Sequence, residues 1–214
     1  MNPIDRTPLA RRGLVGGMMG ALVALGSAGL ASSAGPARSA AAAPTLEEQA
    51  RERLRRQRAP NVALLDHNGR SLRFFDDVIE GRKVLLNVMY TVCSNVCTPA
   101  MRNLIEARRL LGDDASDLRF VSMSLTPLND TPEALRAYRK LHGVDADWTF
   151  LTGTPKNVQR VQRALGFIGR GDTDDLLSHS AMARLCDERQ LRWGHVNTLL
   201  SARSIARMIR FELV

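Results

Sequence analysis

Residues 84–99 read VLLNVMYTVCSNVCTP and contain the features that decide the fold. The first six residues form a nearly continuous apolar run of strand length, which is typical of a central strand covered on both faces. Pro99 suits the first turn of a helix, where its missing N–H removes no helical hydrogen bond. The stretch therefore predicts a buried strand that ends at Met89 and a helix that begins near Cys97, with two cysteines around the turn.

Strand and helix patterns alternate on both sides of this stretch. Asn68-Gly69 is a hairpin signal between the apolar residues 61–65 and an extended pattern at Leu72, Phe74 and Phe75. Further strands are expected at 118–125, 148–151, 182–186 and 191–193, and helices at 104–111, 132–142, 155–166 and 201–211. This alternation predicts an α/β domain with a second hairpin near its end.

The first 43 residues are predicted to be a targeting segment. Arg11 and Arg12 precede a glycine-rich apolar run at 14–31, and an alanine-rich tail continues to Ala43. This order is typical of a secretory signal, and the paired arginines favour the twin-arginine type, which exports folded proteins. An uncleaved membrane anchor is the alternative, because the run has about the minimum length for a span. Either interpretation places the folded part in the periplasm or cell envelope.

Three regions are therefore expected: an export signal or anchor at 1–43, a charged helical linker at 44–59 and a folded domain at 60–214. The chain has 214 residues and a net charge of +8, to which four arginines and one aspartate in residues 1–43 contribute +3. The remaining charge is spread without a lysine-rich block, which is typical of a solvated surface. No nucleic-acid-binding motif is present, so we expect no nucleic-acid partner.

Cys93 and Cys97 have a spacing that favours chemistry over a structural bridge. Residues four apart on a helix have Cβ atoms roughly 5–6 Å apart, whereas a disulfide needs about 3.8 Å. A soft metal spans the wider gap more easily, with metal–sulfur bonds of about 2.3 Å. Structural disulfides gain most from long loops, and a helix N-terminus favours thiolates. We therefore predict a redox or metal role for this pair, and we expect Cys186, in a buried strand, to pack as a small hydrophobe.

The histidines are candidates for a further metal ligand, because thiolates and imidazole together suit copper. His67 lies in the hairpin turn and is expected to be exposed, and His142 ends a helix. His179 follows a loop rich in glycine and aspartate, and His195 precedes the last helix. The local sequence does not choose between His179 and His195.

Four segments carry a resemblance to a known family: YTVCSNVCTPAMRNL (90–104), SLTPLNDTPEALRAY (124–138), WTFLTGTPKNVQRVQRALGF (148–167) and LSHSAMARLCDE (177–188). Together they resemble the SCO/SenC proteins, thioredoxin-like copper chaperones of cytochrome c oxidase assembly. The resemblance covers roughly residues 60–211. It implies a thioredoxin-like α/β fold, with a central mixed sheet flanked by helices and an N-terminal hairpin.

The resemblance also implies the site and its partners. Cys93, Cys97 and His179 would be the copper ligands, and the two cysteines would form a redox-active disulfide. The client would be the copper-receiving subunit of a terminal oxidase or another copper enzyme. The N-terminal segment would associate the protein with the membrane if it is retained.

The chain departs from the family pattern at three positions near these ligands. Ser178 stands where many members have an acidic residue, Thr126 where many have aspartate, and Ser94 where many have proline. The three ligand types are kept, whereas the polar groups that orient ligands and tune metal affinity differ.

A second class of function uses the same thiols. In a thiol–disulfide oxidoreductase one thiolate attacks a partner's disulfide and the other resolves the mixed disulfide. Such a protein would act on a thiol–disulfide exchange partner and would need no imidazole ligand. A peroxidase-like thiol enzyme is less favoured, because nothing in the sequence indicates a peroxide pocket.

The interpretation of the N-terminus leads to a first prediction. Replacing both Arg11 and Arg12 with lysine should leave the protein in the cytoplasm, because the twin-arginine route requires the paired arginines. Fractionation of cells that express the wild type and the double variant measures this. Unchanged export of the variant would indicate the general secretory route or simple anchoring.

Overall fold

The computed structural model describes residues 43–92, 97–168 and 181–213. The helices and strands in these ranges are α1 (Leu46–Arg58), β1 (Ala63–Asp66), β2 (Ser71–Arg73), β3 (Lys83–Met89), α2 (Cys97–Leu111), β4 (Leu118–Ser124), α3 (Pro132–Leu141), β5 (Thr149–Thr152), α4 (Pro155–Ala164), β6 (Met182–Asp187), β7 (Arg192–Asn197) and α5 (Ala202–Leu213). A π-helical segment (Phe74–Ile79) follows β2, and a short 3-10 helix (Gly112–Ala115) follows α2.

The expected export signal, apart from Ala43, lies outside the described residues. Over the described part, no helix is both long and apolar enough to cross a bilayer.

The described strands form one mixed sheet in the order β2-β1-β5-β4-β3-β6-β7. β4 lies parallel to both β3 and β5, and the remaining neighbours are antiparallel. α2 and α3 make the two crossovers that parallel neighbours require. The expected α/β fold, with a central mixed sheet, flanking helices and an N-terminal hairpin, is confirmed.

Side chains of β3 alternate between two buried layers. Leu85 and Met89 pack in a cluster that includes residues of α2, α3 and α5. Val84 and Leu86 pack in a second cluster with the π-helical segment and α4. Because both faces of β3 are covered, the strand has the nearly continuous apolar sequence noted above.

Asn87 is the polar residue within this apolar strand, and it is only 4% exposed. Its Oδ1 accepts a hydrogen bond from Ser122 Oγ at 2.8 Å. Trp148 Nε1 in turn donates to Ser122 Oγ at 2.9 Å. This short chain of hydrogen bonds compensates the burial of polar groups in the centre of the sheet.

Helix α1 occupies most of the region expected to be a charged helical linker. It begins with a capping box, in which Glu48 N donates to Thr45 Oγ1 at 3.2 Å and Thr45 N donates to the Glu48 carboxylate at 2.7 Å. None of its residues is buried. It contacts the domain through Arg55, whose Nε lies 2.8 Å from Glu188 Oε1, and through Arg56, whose guanidinium lies 5.8 Å from the centre of the Phe75 ring.

The extended pattern expected through Phe74 and Phe75 is wrong. The strand β2 ends at Arg73, and the next six residues form the π-helical segment. This turn buries four apolar side chains together: Phe74, Phe75, Val78 and Ile79. It is also supported by Phe74 N, which donates to the carbonyl oxygen of Val62 at 2.9 Å. Burial of both phenylalanines against the sheet therefore outweighs their strand propensity.

The expectation that His67 is exposed is also wrong. The side chain is 5% exposed, and its Nδ1 accepts a hydrogen bond from Phe150 N at 3.3 Å. The hairpin turn folds back against β5, which covers the imidazole. Burial lowers the pKa of His67, and the positive charge of Arg139 lowers that pKa further.

This lowered pKa predicts a pH dependence of stability. The unfolded chain binds the proton more readily, since an unperturbed histidine has a pKa of about 6.5. The stability that neutral His67 contributes is present above that value and is lost as the pH falls towards the folded-state pKa. The free energy of unfolding should therefore decrease between pH 7.5 and 5.5, by at most about 1.4 kcal/mol per pH unit for one proton.

Urea denaturation across this pH range measures the slope, and His67→Asn should flatten it. His195→Asn is the matched control, because His195 is exposed. An equal slope in wild type and His67→Asn would contradict the assignment.

Candidate metal centre

The turn between β3 and α2 carries the predicted thiol pair. β3 ends at Met89, and α2 begins at Cys97, as expected from the sequence. Cys93 lies outside the described residues, so the predicted Cys93–Cys97 pairing stays a prediction. The first turn of α2 contains no acidic residue, so its positive dipole end is not neutralised from within the helix.

A buried carboxylate holds the start of this turn. Asp130 is fully buried, and its Oδ1 accepts hydrogen bonds from Thr91 N at 3.0 Å and Thr91 Oγ1 at 2.7 Å. Its Oδ2 accepts from Ser124 Oγ at 2.6 Å and Thr126 Oγ1 at 2.9 Å. The carboxylate therefore joins the chain leaving β3 to the chain leaving β4.

Sequence reasoning missed Asp130 because its neighbours read as a helix start. The N-cap of α3 is Thr131, whose hydroxyl accepts from Ala134 N at 3.3 Å. The predicted order of the strands could have revealed Asp130. The carboxyl ends of adjacent parallel strands lie at the same edge of a sheet, so polar residues that follow β3 and β4 are expected to be in contact.

His179 lies outside the described residues, but the chain that follows it is well anchored. The carbonyl oxygen of Ala181 accepts hydrogen bonds from Thr198 N at 2.6 Å and Thr198 Oγ1 at 2.8 Å. The carbonyl oxygen of Thr198 accepts from Asn103 Nδ2 at 3.0 Å. Asn103 belongs to α2, so these contacts link the start of β6 to the helix that begins at Cys97.

Strand register brings the end of β3 and the start of β6 to the same edge of the sheet. β6 runs antiparallel to β3 with Ala183 opposite Asn87, so β6 begins where β3 ends. Cys93 follows Met89 by four residues, and His179 precedes Met182 by three. Segments of these lengths span at most about 14 Å and 11 Å, which allows a thiol and an imidazole to meet at this edge.

The alternative ligand His195 lies elsewhere. It is an exposed residue of β7, opposite Arg184 in the register with β6. It lines a cavity of about 340 Å³ together with Arg163 of α4. α4 packs on the face of the sheet opposite α2, so His195 is directed away from the helix that bears Cys97. His67 and His142 lie in the β1–β2 hairpin and at the C-terminus of α3.

No group of three or more histidine, cysteine, aspartate or glutamate side chains is placed to hold a metal ion within 43–92, 97–168 and 181–213. Two of the three predicted ligands, Cys93 and His179, fall outside these ranges. The predicted ligand set is therefore carried forward as a proposal.

Cys186 is an unreactive thiol of the core. It lies in β6, is 2% exposed and packs in the cluster on the α4 side of the sheet. Burial raises the pKa of this thiol to about 12, and the carboxylates of Glu188 and Asp187 add to the effect. The thiolate is the reactive form, so Cys186 is neutral and inert at physiological pH. The interpretation of Cys186 as a small core hydrophobe fits this environment.

The fold and the cysteine-bearing strand-to-helix turn define a thioredoxin-like domain. Residues 51–213 match the family model SCO1/SenC, and the chain belongs to the SCO1/SenC family. Among curated proteins, an SCO2-like protein of Rickettsia prowazekii is 26% identical over 155 residues, which cover 70% of this chain and 74% of the relative.

Solved structures agree on the fold. Bradyrhizobium japonicum ScoI with copper bound has a TM-score of 0.57 at 24% identity, over 72% of this chain and 98% of that one. Yeast Sco1 with copper bound has a TM-score of 0.60 at 16% identity, over 72% of this chain and 87% of that one. A Bacillus anthracis protein described as an SCO1/SenC family lipoprotein has a TM-score of 0.60 at 20% identity, over 72% of this chain and 93% of that one.

The burial of Cys186 leads to a prediction. Iodoacetamide at pH 8 should label two thiols of the reduced native protein and a third only in denaturant, because Cys186 is buried and protonated. Mass spectrometry of tryptic peptides identifies the labelled positions. Cys186→Ser should leave native labelling unchanged, and rapid native labelling of Cys186 would contradict the buried assignment.

Proposed function

We propose that the protein is a copper-binding chaperone that delivers copper to the copper centre of a terminal oxidase. The observation that carries this proposal is membership of the SCO1/SenC family over residues 51–213. The segments with both cysteines and with His179 resemble the family's motifs. Copper is the cargo, and Cys93, Cys97 and His179 are its proposed ligands.

The chemistry of these side chains fits that cargo. Two thiolates are soft anionic ligands that favour Cu(I), and an imidazole also binds copper well. The N-terminus of α2 favours the thiolate form at Cys97. A third ligand from a separate segment of chain completes the site and, on leaving, reopens it for transfer to a client.

Relatives support the choice of cargo and client. Two of the similar structures, from Bradyrhizobium japonicum and yeast, contain copper. A third, BsSco, is described as a member of the Sco family of cytochrome c oxidase assembly proteins and as having a disulfide switch. For this chain, the corresponding proposal is a copper-receiving oxidase subunit as client.

The proposed location is the periplasm or cell envelope. The signal-like residues 1–43 support export, and the SCO1/SenC protein of Bacillus anthracis is described as a lipoprotein, which is a membrane-attached form. A retained N-terminal segment would keep the domain at the membrane, close to a membrane-bound oxidase.

A thiol–disulfide oxidoreductase is the second candidate, favoured by the cysteine pair itself. In that reaction one thiolate attacks a client disulfide and forms a mixed disulfide, and the second thiol then displaces the client. The client gains two electrons and two protons, and the protein is left with a Cys93–Cys97 disulfide. A reducing thiol protein must then restore it. The protein could also perform both functions in turn: it would first reduce the cysteines of a client and then deliver copper to them.

Copper titration of the reduced protein separates the two candidates. We expect one Cu(I) per chain, with tight binding that requires both Cys93 and Cys97. Removal of a group that only orients a ligand weakens metal binding about 10- to 100-fold, so His179→Ala should weaken it at least that much. The disulfide chemistry of the cysteine pair should remain nearly unchanged in that variant.

His195→Ala is the matched control and should bind copper like the wild type, because His195 lies on the α4 side of the sheet. His67 is unsuitable as a control, because its burial makes any substitution costly in stability. If His179→Ala bound copper as tightly as the wild type, the thiol–disulfide oxidoreductase would be the better supported of the two candidate functions.

A further inference from the structure

We propose that Asp130 is the positioning residue of the cysteine-bearing turn, and that it thereby sets both the copper affinity and the redox balance of Cys93 and Cys97. This inference rests on the proposed function for its copper part. Its redox part needs only the two thiols.

The carboxylate of Asp130 has a complete set of hydrogen bonds. Asp130 is fully buried, and each of its carboxylate oxygens accepts two hydrogen bonds. Burying a carboxylate without partners is strongly unfavourable, so the four donors and the carboxylate stabilise one another. Hydrogen bonds to a charged acceptor are roughly twice as strong as neutral ones. The arrangement therefore resists rearrangement of the loops it joins.

Thr91 lies between β3 and the first cysteine. It follows β3 by two residues and precedes Cys93 by two, and both its N–H and its hydroxyl donate to the same carboxylate oxygen. Two bonds from one residue to one acceptor restrain its backbone and its side-chain rotamer together. The direction in which the chain approaches Cys93 is therefore set by Asp130.

The other side of this hydrogen-bond network is fixed to the core of the domain. Ser124 is the last residue of β4, and its carbonyl oxygen accepts from Gln162 Nε2 of α4 at 2.8 Å. Gln162 is 2% exposed. Leu125 N also donates to the carbonyl oxygen of Met89 at 2.7 Å. Asp130 thus connects the start of the turn to the body of the domain.

Thr126 relates the network to the family pattern. Many members have aspartate at this position, whereas here a hydroxyl donates to Asp130 Oδ2 at 2.9 Å. An aspartate at position 126 would bring a second carboxylate against the first, which like-charge repulsion disfavours. Thr126 thus adds a hydrogen-bond donor to Asp130, where an aspartate would add a second negative charge.

Positioning matters here because the thiol pair is geometrically demanding. A disulfide needs Cβ atoms about 3.8 Å apart, whereas a metal ion bound to both sulfurs through bonds of about 2.3 Å accepts a wider gap. A small change in the path of the turn alters which of these states is favoured. Removal of Asp130 should therefore change the copper affinity and the disulfide equilibrium, while Cys186 stays inert.

The test compares Asp130→Ala with Asp66→Ala in the full chain. Asp66 is also fully buried and accepts from Asn68 N at 2.8 Å and Arg70 N at 2.9 Å, but it lies in the hairpin at the opposite edge of the sheet. Each variant is assayed for Tm, for Cu(I) affinity by chelator competition, and for the equilibrium of the cysteine pair with glutathione. Thr91→Val is a milder variant, which removes one hydroxyl donor with little change of shape.

We expect both alanine variants to lose thermal stability. Only Asp130→Ala should also lose copper affinity, by about tenfold or more, as removal of orienting groups does at other metal sites. It should also shift the glutathione equilibrium relative to Asp66→Ala. Thr91→Val should change both quantities in the same direction by a smaller factor, and it is informative even if Asp130→Ala fails to fold.

The proposal would be overturned if Asp130→Ala had the copper affinity and the glutathione equilibrium of the wild type. If Asp130→Ala does not fold, the same result in Thr91→Val would overturn it. A wild-type protein that binds no Cu(I), but whose glutathione equilibrium still shifts in Asp130→Ala, would overturn the copper function and support the positioning role. Equal effects of Asp130→Ala and Asp66→Ala on all three measurements would reduce Asp130 to a purely structural residue.

Discussion

The parallel pairing of β3 with β4 is the constraint on which the rest of the molecule depends. The two strands are in register from Lys83 opposite Leu118 to Met89 opposite Ser124. They therefore end at the same level, and the chains that leave them meet at one edge of the sheet. Thr91 and Asp130 come into contact for this reason, although they are far apart in the sequence. The start of the turn that carries the cysteines is held by this contact.

The alternation of side chains along β3 has a second consequence, because it separates the helices into two layers. α2, which begins at Cys97, shares its layer with α3 and α5, and α4 packs on the other side. The local sequence does not choose between His179 and His195 as a metal ligand. The separation of the layers shows on which side of the sheet His195 lies. His195 lines a cavity beside α4, whereas the segment after His179 is joined to α2 through Thr198 and Asn103. His195 therefore lies apart from α2, and the choice of His179 as the proposed ligand rests on the family resemblance.

Burial decides the chemistry of Cys186, the cysteine whose side chain the structure describes. Burial between charged neighbours and apolar side chains raises the pKa of Cys186 to about 12 and keeps it out of exchange reactions. Cys97 begins a helix, where the dipole favours a thiolate. Copper binding and disulfide exchange both require that form, so the two proposed functions draw on the same pair of residues. Oxidation of the pair to a disulfide would make both proposed functions unavailable until the pair is reduced again.

Much of the fold could be predicted from the sequence because the signals are local. The apolar run at β3, the Asn68-Gly69 turn and the threonine–proline starts of α3 and α4 each specify a strand, a hairpin or a helix within a few residues. The family's ligand types are also readable locally, since each segment carries its own motif. These features depend on periodicity and backbone preference, which the sequence itself contains.

Features that depend on contacts between residues far apart in the sequence were decided only by the tertiary structure. Phe74 enters a π-helical segment because Val62 accepts its N–H and the core covers its ring, and His67 is buried because Phe150 folds against it. Asp130 reads locally as part of a helix start, yet its carboxylate holds a threonine at the end of another strand. The physical reason is that a hydrogen bond between remote residues depends on strand register and burial, which no local pattern records.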